Sequence, residues 1–195
     1  MRVLIIATPR SGSTNLTNII ANMLGCKRYQ EPYNFGHPSA ASQEYPDTLP
    51  NNVVVKTMYS QLPLGYIEGS REFYLEEIKK FDKVILLSRL DIKASYESFN
   101  YRLKNNPKGN WHTEYTYDEF NVDLNVYNSF LKWTSDLIEF SKTINTPVTW
   151  YEDIFENKNK DAVKYWDLDI DVEIFYKHVS QRPRYRKTNI KNTII

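Results

Sequence analysis

The residues best placed to do chemistry lie near the amino terminus. An apolar run, Val3-Leu4-Ile5-Ile6-Ala7, breaks into Thr8-Pro9-Arg10-Ser11-Gly12-Ser13-Thr14 and then into a pattern with apolar residues at Leu16, Ile19, Ile20, Met23 and Leu24. The first run reads as a strand buried on both faces and the last pattern as a helix. Pro9, Ser11 and Gly12 supply turn chemistry between them. Strand, tight loop and helix in that order make an anion site, because the first N–H groups of the helix have no intrahelical partner and point at the loop. The same residues also satisfy the requirements of a polar turn with no ligand.

The loop is related to the phosphate-binding G-x-x-x-x-G-K-[ST] motif but lacks its lysine, since Ser13 follows Gly12 and the cation, Arg10, lies upstream. This weakens a nucleoside triphosphatase or kinase reading, in which that lysine reaches the β- and γ-phosphates. A second cation-and-hydroxyl group follows another apolar run: Arg89 leaves Lys83-Val84-Ile85-Leu86-Leu87-Ser88, and Ser95 and Ser98 follow on a helical stretch. Arginine grips phosphate bidentately and serine adds a donor. Asp91 in the same segment also reads as a helix N-cap followed by exposed serines.

Charge is segregated along a chain of 195 residues whose net charge is only +1. Arg2, Arg10, Lys27 and Arg28 stand in the first thirty positions without an acid, and Lys177, Arg182, Arg184, Arg186, Lys187 and Lys191 stand together at the other end. Two basic ends folded toward one site would focus positive potential on a small, multiply charged ligand. A solvated basic tail is the competing interpretation.

Positioning these groups calls for a mostly parallel α/β sheet flanked by helices, in one domain over 1–195. Strands are expected at 3–7, 53–55, 83–88 and 147–151. Helices are expected at 15–24, 71–80, 92–104 and 119–143, the last with Phe120, Leu124, Tyr127, Leu131 and Ile138 on one face. Segments 32–52 and 105–118, rich in Asn, Pro, Gly, Ser and Tyr, read as loops that would choose the substrate. A hydrophobic fraction of 41% suits a sizeable core. The lone Cys26 gives neither a disulfide framework nor a metal cluster. With no signal-peptide pattern and no apolar run near ~18 residues, the expectation is a cytoplasmic protein with no membrane or nucleic-acid partner.

The segment Pro9-Arg10-Ser11-Gly12-Ser13-Thr14 resembles the P-[KR]-S-G-[ST]-T loop of sulfotransferases that use 3′-phosphoadenosine 5′-phosphosulfate (PAPS). Arg10 matches the variant of the carbohydrate and tyrosylprotein branches, while Asn15 stands where the small-molecule branches carry tryptophan. The resemblance implies a P-loop-like fold and PAPS as co-substrate without a metal. Arg10, Ser11, Gly12, Ser13 and Thr14 then hold the 5′-phosphosulfate. Arg89 and Ser98 correspond to the 3′-phosphate segment, although Leu90 intervenes where the family places arginine directly before the aspartate, and Ser95 is the alternative hydroxyl. Arg186 and Lys187 resemble the basic segment that closes over the 3′-phosphate.

Sulfuryl transfer to a hydroxyl or amine needs a base near the acceptor. The small-molecule branches carry K-T-H, whereas this chain has Lys56-Thr57-Met58. The carbohydrate and tyrosylprotein branches use a glutamate soon after the first helix, and Gln30-Glu31-Pro32 resembles that segment, so the resemblance assigns the base to Glu31, with His112 in reserve. Lys56 would stabilise charge on the bridging oxygen. Trp150-Tyr151-Glu152-Asp153-Ile154 resembles the Y-E-D-L segment, for which a structural role is expected. A small-molecule or carbohydrate acceptor is implied, and Tyr101, Trp111, Tyr115, Tyr117 and Trp133 are available to stack on it. Two other readings remain: a P-loop kinase or nucleotide-binding protein, and a degenerate sulfotransferase that binds PAPS or its product PAP without turnover.

Overall fold

The computed structural model describes residues 1–32, 48–60, 70–105 and 123–181, and the architecture below refers to these. Five strands, β1 (Arg2–Ala7), β2 (Lys27–Gln30), β3 (Val53–Met58), β4 (Lys83–Ser88) and β5 (Val148–Trp150), form one sheet in the order β2-β3-β1-β4-β5. Every neighbouring pair is parallel. The helices are α1 (Ser13–Met23), α2 (Ser70–Glu77) with a 3-10 turn at Ile78–Lys80, α3 (Ile92–Asn105), α4 (Leu124–Thr143), α5 (Tyr151–Phe155), α6 (Lys160–Lys164) and α7 (Val172–Gln181).

The two-residue period of the strands divides the core into two layers. Val3, Ile5, Ala7, Val54, Ile85 and Leu87 meet Leu16, Ile19 and Ile20 of α1 together with Ile154, Val163, Phe175 and Val179. Leu4, Ile6, Val53, Val55 and Leu86 face the other way, onto Phe73 and Tyr74 of α2 and Leu137 and Phe140 of α4. The central runs are hydrophobic throughout because both faces are covered. This is the expected α/β sandwich, and its strands at 53–55, 83–88 and 147–151 lie in the sheet.

Two readings need correction. The stripe assigned to α4 is rotated, because Leu124 and Leu131 are 66% and 41% exposed while Phe130, Leu137 and Phe140 are buried. The helix carries apolar residues at two phases of the same period, and the phase holding Phe130, Leu137 and Phe140 takes the interior; Phe120 lies outside the described residues. The strand β2 was not anticipated. It buries only Tyr29 and exposes Lys27 and Arg28, the charged pattern of a sheet edge rather than of a core strand.

From β1 the chain passes through α1 to β2 on one side, and from β4 through α3 and α4 to β5 on the other. The carboxyl ends of β1 and β4 are thus adjacent strands whose connections diverge, the place where open α/β sheets form a ligand crevice. The backbone pairing runs one residue past these strands, with Thr8 N donating to Leu87 O at 3.0 Å, Tyr59 N to Ala7 O at 2.9 Å and Glu31 N to Lys56 O at 2.7 Å. The loops that follow therefore start from a fixed rim.

Candidate active site

The loop after β1 turns sharply by means of two left-handed residues, Arg10 at φ 64° and Gly12 at φ 78°. Gly12 caps α1 without a side-chain oxygen, and its carbonyl accepts from Asn15 N at 3.0 Å and Leu16 N at 3.1 Å. The N–H groups of Ser13 and Thr14 precede the first intrahelical bonds and carry the positive end of the helix dipole. Ser11 is buried and its hydroxyl donates back to Thr8 O at 2.8 Å, so its side chain braces the loop. Ser13 is buried as well, and its carbonyl accepts from Thr17 Oγ1. Thr8 Oγ1 meets Ser88 Oγ at 3.0 Å, tying the base of the loop to the end of β4.

Arg10 crosses the crevice to α3. Its Nε and Nη2 donate to Ser98 Oγ at 2.9 and 2.8 Å, joining residues 88 apart in sequence. Ser95, the alternative hydroxyl, is 3% exposed and faces the interior. Asp91 caps α3 by accepting from Ala94 N at 2.8 Å. The loop arginine and the serine seven residues beyond Asp91 therefore meet, which neither residue type nor spacing alone required.

Arg89 takes a different place. Its guanidinium lies 4.5 Å from the centroid of the Tyr151 ring, and its Nε is 3.7 Å from Glu152 Oε1, beyond hydrogen-bond reach. That Nε is buried without a hydrogen-bond partner among the described residues. A buried donor in this condition costs about 1–3 kcal/mol, an expense an anionic ligand beside the guanidinium would offset. Glu152 instead accepts from Leu90 N at 3.0 Å and Asp91 N at 3.2 Å, fixing the turn between β4 and α3. Tyr151 stacks on Phe155 with centroids 4.9 Å apart. Together these rings cover Gly12: a Cβ there would lie 2.8 Å from Phe155 Cε2 and 3.0 Å from Tyr151 Cδ2. Sequence reasoning gave Tyr151 no part in shaping the loop and passed over Phe155. The aromatic at each end of Tyr151-Glu152-Asp153-Ile154-Phe155, one turn apart on a short helix, was the available signal.

On the β3 side, Lys56 is fully buried, with its ammonium paired to the carboxylate of Glu31 and 3.4 Å from Thr14 Oγ1. Lys56 lies in register with Ile5 of β1, on the face covered by α1, which brings its amine to the first turn of that helix. Glu31 is held in left-handed backbone at φ 52° immediately before Pro32, a conformation a non-glycine residue adopts at a cost of about 1–2 kcal/mol. Below them, Tyr74 Oη donates to Met58 O at 2.7 Å and lies 3.1 Å from Thr57 Oγ1. Burial pushes the Tyr74 phenol well above its ordinary range. Its neutral hydroxyl thus fastens the end of the strand that presents Lys56.

The structure brings Arg10 to Ser98, and Thr14 to Lys56 and Glu31, along the carboxyl edge. Arg186, Lys187, His112, Tyr101, Trp111, Tyr115 and Tyr117 lie outside the residues or side chains described. Trp133 packs on Phe130 at 5.2 Å between centroids. Among the described residues, no group of three His, Cys, Asp or Glu is placed to hold a metal ion, and no helix is long and apolar enough to cross a membrane.

Comparison with solved structures finds the crystal structure of a mouse sulfotransferase, SULT7A1, complexed with PAP, at a TM-score of 0.52 and 16% sequence identity. The fold is shared with a sulfotransferase. The superposition covers 92% of this chain and 62% of the mouse protein, so this chain spans less than two thirds of its length. No protein-family profile matches the sequence, and no curated protein matches it.

Proposed function

We propose that this protein transfers a sulfuryl group from PAPS to a hydroxyl or amine of a small polar acceptor, such as a carbohydrate. The observation that carries the reading is the convergence of cations and donors on one strand edge: Arg10 of the loop before α1 on Ser98 of α3, and Lys56 beside Thr14 in the first turn of α1. The fit to a PAPS-like ligand is chemical as well as topological. Arg10, Arg89, Lys56 and the first N–H groups of α1 are cations and donors, the buried Nε of Arg89 has no acceptor among the described residues, and the rings over Gly12 leave the loop backbone to do the binding.

In this reading Arg10, the backbone of Ser11, Gly12 and Ser13, and Thr14 hold the 5′-phosphosulfate. Arg89 and Ser98 serve the 3′-phosphate, joined by Arg186 and Lys187 of the basic tail. Because Ser98 also accepts from Arg10, the two anion subsites share a hydroxyl and move together. PAPS supplies the sulfuryl group and carries the leaving charge on its 5′-phosphate. Arg10 and the helix terminus meet that charge with dipoles already oriented, the condition under which electrostatic stabilisation is largest. Lys56 stabilises the charge that moves onto the bridging oxygen of the leaving 5′-phosphate. Glu31 takes the acceptor proton, and its place at the sheet's carboxyl edge puts it beside the same helix end.

The test compares ligands. In thermal denaturation, PAP should raise Tm at concentrations where ATP with Mg²⁺ does not; stabilisation by ATP with Mg²⁺ alone overturns the proposal in favour of a kinase-like protein. Transfer of labelled sulfate from PAPS to a panel of sugars, phenols and amines then decides between catalysis and binding. Met58, where a base histidine would stand, is the feature that favours a binding-only protein, and PAP stabilisation without transfer to any acceptor class would establish that reading instead.

A further inference from the structure

Lys56 is the buried cation nearest the helix terminus, and a carboxylate already occupies it. The pair is sheltered, with Lys56 fully buried and the Glu31 side chain 26% exposed. It is also held from two directions, since Glu31 N donates to Lys56 O while the Glu31 carboxylate meets the Lys56 ammonium. Glu31 reaches this position only through left-handed backbone before a proline. Strained backbone persists where surrounding contacts over-determine it, and such positions cluster at functional sites.

An anion accepting from Thr14 at the start of α1 must lie within roughly 6 Å of the Lys56 ammonium, since Thr14 Oγ1 is 3.4 Å from that nitrogen and a hydrogen bond adds about 2.8 Å. A phosphate or sulfuryl oxygen there and the Glu31 carboxylate compete for one cation. They also repel each other, and both terms are large in a site with little water.

Resting on the reading above, we infer that Glu31 is a stand-in anion: it neutralises Lys56 until the anionic end of the nucleotide arrives, and the exchange of partners releases its carboxylate toward the acceptor. The exchange couples the two halves of the reaction. Glu31 is withheld as a base while the nucleotide site is empty, and its carboxylate becomes available once the nucleotide binds. Binding is therefore ordered, nucleotide before acceptor. The ion pair also keeps Lys56 from being an uncompensated buried charge in the ligand-free protein.

Glu31→Gln separates this from a simple role as base. A base that only takes a proton leaves nucleotide affinity unchanged when replaced. A stand-in anion makes affinity rise: we expect PAP to bind Glu31→Gln about tenfold more tightly than wild type by calorimetry, as the lost charged contact is no longer broken on binding. We also expect a lower Tm without ligand and a larger rise on saturation with PAP. Unchanged or weaker binding overturns the inference. Pyrophosphate forms a second arm, because it tests the anion exchange without the nucleoside: wild type that ignores PAP overturns the nucleotide reading, while tighter pyrophosphate binding by Glu31→Gln still supports the exchange and equal or absent binding refutes it. If the variant does not fold, a cocrystal of wild type with PAP decides. Expected is a Lys56 ammonium on a ligand oxygen and a Glu31 carboxylate more than 4 Å from it; an intact pair beside bound PAP overturns the proposal.

Discussion

The two sides of the crevice are held by different means. On the β4–β5 side, ring packing and contacts to backbone dominate: the stacked rings of Tyr151 and Phe155 lie on Gly12, and the Glu152 carboxylate grips the N–H groups of Leu90 and Asp91. On the β3 side, a buried ion pair and one strained residue, Glu31, set the geometry, with Tyr74 beneath. Packed rings are held by shape rather than by a charge that an arriving anion could take over, so the first side is preformed. An ion pair can exchange a partner at modest cost, so the second side is able to respond to charge. In the proposed reaction the first binds a constant group, the nucleotide, and the second manages the proton.

Breaking the preformed side should have the largest effect. Gly12→Ala places a Cβ at 2.8 Å from Phe155 and keeps the backbone at φ 78°, where only glycine is unstrained. The left-handed conformation costs about 1–2 kcal/mol and the displaced ring about 1–3 kcal/mol more. We expect a fall in unfolding free energy of about 2–5 kcal/mol in urea and a loss of at least about tenfold in PAP affinity. A variant with wild-type stability and affinity would show that the rings yield easily and that this side is not preformed.

The β3 side should be the more sensitive to pH. The Tyr74 phenol has its pKa raised by burial above its ordinary value of 10.0. A group with a raised folded value contributes stability that is complete below the unfolded pKa and is lost as pH climbs past it. Wild type should therefore lose stability steadily above about pH 10, and Tyr74→Phe should flatten that part of the profile. At neutral pH the variant should be about 1 kcal/mol less stable, since Met58 O and Thr57 lose a buried partner. Equal alkaline slopes in the two proteins would remove Tyr74 as the responsible group.

This contrast was unevenly legible in the chain. The runs at Val3–Ala7 and Lys83–Ser88 announce buried parallel strands because both faces of each must be apolar, and the Pro9 to Thr14 loop announces an anion site because strand, glycine and helix follow in order. Local patterns of that kind survive folding. The partnership of Lys56 with Glu31, and of Gly12 with Tyr151 and Phe155, depends on which strands become neighbours, and the order β2-β3-β1-β4-β5 is not written in any single segment. The α4 face shows the same limit in miniature. Its period is clear, but two apolar phases compete, and the sheet residues across the core, not the helix alone, decide which of them is buried.

The smallest effect separates charge from shape on the preformed side. Glu152→Gln keeps an oxygen for Leu90 N or Asp91 N but removes the charge that strengthens both contacts and that stands 3.7 Å from Arg89 Nε. Stability should fall by under about 1 kcal/mol, since one acceptor survives and the turn is partly exposed. The consequence for ligand binding has the opposite sign. Arg89 loses its neighbouring anion, so its guanidinium is more available to a phosphate, and PAP affinity should rise a fewfold even as Tm without ligand declines slightly. If affinity instead falls in step with stability, Glu152 acts on the ligand through the backbone of residues 90–91. Both sides of the crevice would then use a carboxylate, but only the β3 side would use it as a competitor for the ligand's cation.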